Sequence, residues 1–181
     1  MKGIGRAVPA ALATLAAVVL VTGCGVRPTG VLDGGEAASG LTKGLRLYFV
    51  SQAGRLEAVA RPGIPAAAVT DPAGVIKLLG NGPTAAERAS GLTSLVGDEG
   101  YETGYEADVD AEGAVTVRVP QLELDDSSVG DRNLTGQLVC SIARARAMAD
   151  RTGTTDTDDV RVTVRPREGG AGTHVCSDFL K

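Results

Sequence analysis

Three acidic side chains at alternate positions precede a glycine in Asp108-Val109-Asp110-Ala111-Glu112-Gly113. This is the first half of a calcium-loop pattern, with oxygen ligands at positions 1, 3 and 5, Gly at 6 and aliphatic Val115 at 8. The twelfth position, which needs a bidentate Glu, is Val119 inside an alternating strand. The segment therefore reads as a hairpin turn bounded by solvated acids, and no metal site is assigned. Residues 98 to 112 carry seven acids (Asp98, Glu99, Glu102, Glu106, Asp108, Asp110 and Glu112) and no base. They form a solvated loop and strand face; weak cation binding or a surface for a basic partner are the functional alternatives. His174, the sole histidine, stands two residues from Cys176, on the same side of an extended chain. A Cys–His hydrolase would need a free thiolate there. No Ser sits in a G-x-S-x-G elbow, no Walker-type phosphate loop occurs, and Gly169-Gly170-Ala171-Gly172 opens no helix. Asn133-Leu134-Thr135 is a glycosylation sequon that reads more simply as a helix start capped by Asn133. No catalytic residue and no cofactor are assigned.

Cys24 carries the strongest signal. Lys2 and Arg6 form a basic n-region, and Ala7 to Val21 is almost wholly apolar. As a helix this stretch reaches roughly 22 Å, short of the roughly 20 residues of a stable span, so it reads as a signal-peptide core. It ends in Val21-Thr22-Gly23-Cys24, which resembles the bacterial lipobox. The resemblance implies lipidation of Cys24 and cleavage after Gly23, with residues 1–23 as the signal peptide. Two acyl chains of palmitate type suffice for stable attachment, which one does not. Cleavage removes Lys2 and Arg6 and no acid, taking the formal net charge from −4 to −6. An acidic body is repelled by an anionic bilayer within about 8 Å, so the lipid, not basic residues, would hold it to the membrane. Residues 24–40, rich in Gly and without apolar periodicity, read as a tether averaging roughly 20 to 24 Å end to end.

The folded body, 41–181, has few rings. The chain's aromatics are Tyr48, Phe49, Tyr101, Tyr105 and Phe179, with no Trp, so the core must be aliphatic and stacking surfaces for single strands are missing. A pI near 5.0 argues against nucleic acid as a partner. Two runs, 45–50 and 55–60, read as a β-hairpin, with Leu56 and Val59 inward and a bulge implied by their spacing. Asp71-Pro72 opens a helix that buries Val75, Ile76, Leu78 and Leu79 and closes at Gly80. Thr84 and Glu87 form a capping box for a short helix ending near Gly91. Strands follow at 104–109 and 115–119, joined by a turn over 110–113, and Pro120 ends the second. The longest helix, 133–150, carries Leu134, Leu138, Ile142, Ala145 and Ala149 on one stripe. A final strand spans 160–164. The order β β α α β β α β predicts a single α+β domain: a sheet of about five strands with helices over one face.

The run from Leu78 to Leu92, with Gly82-Pro83-Thr84, Glu87 and Gly91-Leu92, resembles the signature of GerMN domains, found in spore-germination and sporulation proteins and in actinobacterial lipoproteins. Tyr48-Phe49-Val50, the strand 115–119, Gln137-Leu138-Val139 and the strand 160–164 follow in matching order. The likeness covers about residues 45 to 165; the tail beyond Pro166 and both later cysteines lie outside it. It implies an extracytoplasmic interaction or assembly module without a catalytic centre, and supplies no catalytic residues.

Once Cys24 is lipidated, Cys140 and Cys176 remain in an oxidising compartment, where a disulfide is expected. At about 100° per residue Cys140 lies roughly 200° from the Leu134/Leu138/Ile142 stripe. The tail must then wrap the helix's far flank, bringing Val175 and Phe179 over Val139 or Ala143. The expected protein is a lipoprotein at the outer face of the bacterial cytoplasmic membrane, partnered by the membrane through Cys24 and by another envelope protein. The alternative is a small envelope enzyme or ligand-binding lipoprotein, which a pocket with convergent polar groups would favour. About 140 folded residues supply only one lobe of a two-lobed solute-binding protein.

Overall fold

The computed structural model describes residues 44–97, 104–125 and 127–180, all within one compact unit. Cys24, the signal segment, the tether, Asp98, Glu99 and Glu102 lie outside the described residues. The fold is α+β. Strands β1 (Arg46–Val50) and β2 (Leu56–Ala60) pair as a hairpin; β3 (Glu106–Val109), β4 (Val115–Glu123), β5 (Val162–Glu168) and β6 (Gly172–His174) form a second sheet in that order. The helices are α1 (Pro72–Gly80), α2 (Ala85–Ala89) and α3 (Val129–Ala149). β4 and β5 run parallel with α3 as their crossover, and the other pairings are antiparallel. The strands thus divide between a four-stranded sheet and a separate hairpin.

Local chemistry sets several elements as expected. Asp71 caps α1 by accepting from Ala73 N, with Pro72 at the first helical position. Val75, Ile76 and Leu79 are buried and Leu78 is half-buried. Gly113, at φ +88°, turns β3 into β4, and Asp110 Oδ1 accepts from Ala114 N at 2.8 Å. That bond spends the middle acid of the calcium-like pattern on its own turn.

Other boundaries differ. The hairpin has no bulge: Arg46 pairs with Ala60 and Val50 with Leu56 in unbroken register. Leu56 and Val59 are both half-buried because the hairpin is covered on both faces, Val59 by the main core and Leu56 by a cluster around Tyr48, Cys140 and Cys176. β4 continues through Pro120 to Glu123, with its ladder shifting register between Val119 and Glu123, the kind of irregularity that accommodates a residue without an N–H. β5 starts two residues later than the apolar alternation and runs four further, through Pro166, where β6 no longer pairs with it. β6 is an extra strand, too short and Gly-rich to show a period.

The largest difference is in α3. It starts at Val129, with Ser128 as N-cap accepting from Asp131 N, so Asn133 is inside the helix and not its cap. More important, α3 is not one-sided: every residue from Leu134 to Ala143 is buried. Helices enclosed on all sides are ordinarily apolar all round; this one carries Gln137 and Ser141 in its buried stretch. Both, with their neighbours on the same side, serve main chain. Asn133 Nδ2 donates to Gly54 O at 3.0 Å, Gln137 Oε1 accepts from Leu95 N at 2.9 Å, Ser141 Oγ accepts from Tyr48 N at 2.9 Å, and Arg144 Nη2 donates to Gly44 O at 3.2 Å. The spacings of 4, 4 and 3 place these four side chains on one helical stripe. The edge of β1 away from β2 lies along this stripe, completed by Val50, which exchanges N–H and C=O bonds with Thr93.

Ser141→Ala leaves the buried Tyr48 N–H without an acceptor. It should cost about 1–3 kcal/mol, read from the urea midpoint. A loss below about 0.5 kcal/mol, the range of surface substitutions, would show that the β1 edge does not depend on the stripe.

Candidate functional site

The motif residues Gly82 to Leu92 run beside the hairpin, with Glu87 meeting Arg61 just past its open end and Gly91 facing Gln52 in its turn. Gly82, at φ +73°, turns the chain out of α1. Thr84 Oγ1 accepts from Glu87 N and Glu87 Oε2 from Thr84 N, so the expected capping box is present. Arg88 donates to Pro83 O. Glu87 also takes a fork from Arg61, just past β2: Nη1 to Oε1 and Nη2 to Oε2, both 2.7 Å. The pair is largely enclosed, with 17% and 20% of the two side chains exposed, and the guanidinium sits 5.4 Å from the Phe49 ring centroid. The Arg61 hydrogen bond, opposed by burial and helped by Thr84, holds the Glu87 carboxyl down at about 2. Gly91, at φ +88°, sends the chain back toward β1, where Thr93 meets Val50. Ser94 Oγ donates to Leu79 O at 2.8 Å and accepts from Gln137 Nε2 at 3.0 Å. Leu92 packs against the core. Gly82, Thr84, Glu87, Gly91 and Leu92 are therefore parts of a joint between hairpin, α1 and α3; their polar groups are spent inside the protein.

The acidic face is less bare than its sequence. Arg118, across the β3–β4 ladder, bonds both Glu106 and Asp108, and sequence order alone hid this because β4 lies beyond the turn. Cys140 and Cys176 form a disulfide, their Cα atoms 4.6 Å apart. Cys176 Sγ is thus no nucleophile for His174, whose ring meets Phe179 edge-on at 5.3 Å. The tail does wrap the far flank of α3, but Phe179 lies over Gly136: a Cβ there would stand 2.7 Å from Phe179 Cγ and 2.8 Å from Leu56 Cδ1. Arg132 adds a guanidinium 5.5 Å from the same ring and donates to Asp178 O.

A cleft of about 530 Å³ opens between the C-terminal end of α3 and the starts of β4 and β5, lined in part by Glu112, Arg146, Asp150, Asp159 and Arg161. Its charges are largely committed to main chain. Asp150 accepts from the hydroxyls and N–H groups of Thr152 and Thr155, which hold its carboxyl well below the usual range, the Thr152 hydroxyl foremost. Asp159 accepts from Asp156 N, and Arg146 donates to Thr70 O. Among the described residues no group of three or more His, Cys, Asp or Glu is arranged to hold a metal ion.

The Arg61–Glu87 joint has a definite pH signature. Its folded-state carboxyl lies below the ordinary 4.5, so its stabilisation is complete above that value and is lost as pH falls toward about 2. Glu87→Gln should cost about 1.5–3 kcal/mol at neutral pH, and the urea midpoints of variant and wild type should converge over that window. A pH-independent gap would refute the ion pair's role. For the disulfide, replacing both Cys140 and Cys176 by Ala should remove roughly 3–4 kcal/mol, the chain-entropy value for its 36-residue separation. Thiol titration of the folded, unreduced protein lacking residues 1–24 should find neither residue reactive; two free thiols would overturn the pairing.

Comparison of the chain with family models, curated proteins and solved structures finds no match.

Proposed function

We propose that the chain is an envelope lipoprotein: a non-catalytic interaction or assembly module of GerMN type, held at the outer face of the bacterial cytoplasmic membrane by acyl chains on Cys24. The observation that carries this reading is the disulfide. The two cysteines other than Cys24 are joined and shut into a buried cluster with Tyr48, and such bonds persist in oxidising compartments. A chain that enters that compartment behind the Val21-Thr22-Gly23-Cys24 tetrapeptide keeps one thiol for lipid and two for structure. The non-catalytic part is supported by how the polar residues are used. Glu87, Arg61, Asp110 and Asp150 bond within the domain, and Cys176, the one thiol near His174, is consumed.

Cys24→Ala in the whole chain should abolish labelling by a palmitate analogue in the producing bacterium, block cleavage after Gly23 and release the protein from the membrane fraction. Persistent labelling of this variant would refute lipid anchoring. Crosslinking from intact membranes should then recover a protein partner with the wild type and not with the detached variant.

A further inference from the structure

Among the described residues three polar side chains are buried: Gln137, Ser141 and Thr135. The first two are satisfied by main chain and Ser94. Thr135 is only 4% exposed, no hydrogen bond among the described residues reaches its hydroxyl, and that oxygen is not sealed off; the side chain opens to a crevice of about 330 Å³, which it lines with Leu124, Val164, Pro166, His174 and the main chain of 170–172. That volume is at the lower end for small-molecule sites, which run from about 300 to 1,000 Å³. The crevice lies along β5 and β6, with Val164 and Pro166 from the first, Gly172 and His174 from the second, and Leu124 just past β4.

The geometry points to a carboxylate-binding crevice between the N-terminal half of α3 and the β5–β6 connection, in which Thr135 and His174 donate to the bound group. The lining is selective in kind. Thr135 offers an O–H, the imidazole a ring N–H, and Gly170 and Ala171 lie outside the β5–β6 register, so their N–H groups have no ladder partner there. No carboxylate is among the lining residues, so the site presents donors and the ligand must bring acceptors. Leu124, Val164 and Pro166 supply apolar walls, which strengthen hydrogen bonds to a charged group by excluding water. His174 is set for this by Gly172: the imidazole occupies the space a Cβ at Gly172 would take, so the ring lies along β6 toward the crevice. Its ring meets the Phe179 ring edge-on, and Phe179 lies over Gly136, about one turn of α3 from the disulfide at Cys140. The site uses residues of the folded domain alone and does not rest on lipid anchoring.

The chain's single histidine makes the test direct. Whole protein in detergent, without a histidine tag and labelled with ring-13C histidine, gives resonances from His174 only. N-acetylglycine, with the carboxylate of a peptide C-terminus, should shift these signals saturably at neutral pH, and N-acetylglycinamide should not. Acetate is a further arm: equal affinity identifies a small carboxylic acid as sufficient, and weaker affinity identifies a peptide terminus; either bears the site out. Thr135→Val should weaken N-acetylglycine about tenfold or more, as loss of a hydrogen bond to a charged group implies, while Thr135→Ser, which keeps the hydroxyl, should retain binding. A shift that fails to saturate, an equal response to acid and amide, or undiminished binding by Thr135→Val would each overturn the proposal.

Discussion

The domain depends on one buried helix face that bonds to main chain. An exposed strand edge leaves N–H and C=O groups that must find water or a partner, and the β1 edge is enclosed where water cannot serve it. Ser141 and Arg144 meet that edge, while Asn133 and Gln137 reach the adjoining turn and the 94–95 segment. The hairpin therefore needs no third strand, and it can stand apart from the four-stranded sheet while sharing its core. Because the four side chains lie on one helical stripe, the rotation of α3 about its axis is set by hydrogen bonds as well as by Leu138 and Ile142, which are fully buried on the core side.

The C-terminal tail closes what the stripe leaves open. α3 would otherwise expose Gly136 and Cys140, with a small residue at the centre of the patch. Phe179 and Leu56 fill the space that Gly136 leaves, and the disulfide draws Cys176 onto Cys140. Asp158 accepts from Ser177 N, and Arg132 donates to Asp178 O, so charged groups from the two ends of the α3 region fasten the tail's main chain. The cluster of Tyr48, Cys140 and Cys176 is small beside the main core. A covalent link suits such a cluster, since its few apolar side chains offset little of the entropy of ordering the last residues.

The Gly82–Leu92 segment works as a joint. Its capping box is a local device, but the same Glu87 is also the anchor for Arg61 from the hairpin. One carboxylate thus starts a helix and ties it to a strand end, and the loop that follows delivers Thr93, Ser94 and Leu95 to β1 and α3. Residues that look like a binding motif in a linear reading can be a motif because a joint needs them in that spacing.

The chain's local chemistry determined much on its own: the cap at Asp71, the Thr84–Glu87 box, the hairpin of 45–60, the turn at Gly113, and the α+β class all rest on contacts within a few residues. The disulfide was legible too, because the lipobox-like setting of Cys24 leaves two other cysteines to pair and helical spacing put Cys140 off the main stripe. Tertiary structure decided the rest. β5 passing through Pro166, β6, and the β4 ladder across Pro120 depend on which strand edge is paired at each point, and pairing joins residues far apart in the chain. The candidate crevice was the least legible. Thr135 looked like part of a sequon, and His174 like a partner for Cys176. The reason is physical: a periodicity reports which side of a helix is apolar, whereas a buried polar group is understood only when the group it faces is known. Gln137 and Ser141 face main chain, and Thr135 faces a crevice; no local pattern separates the three.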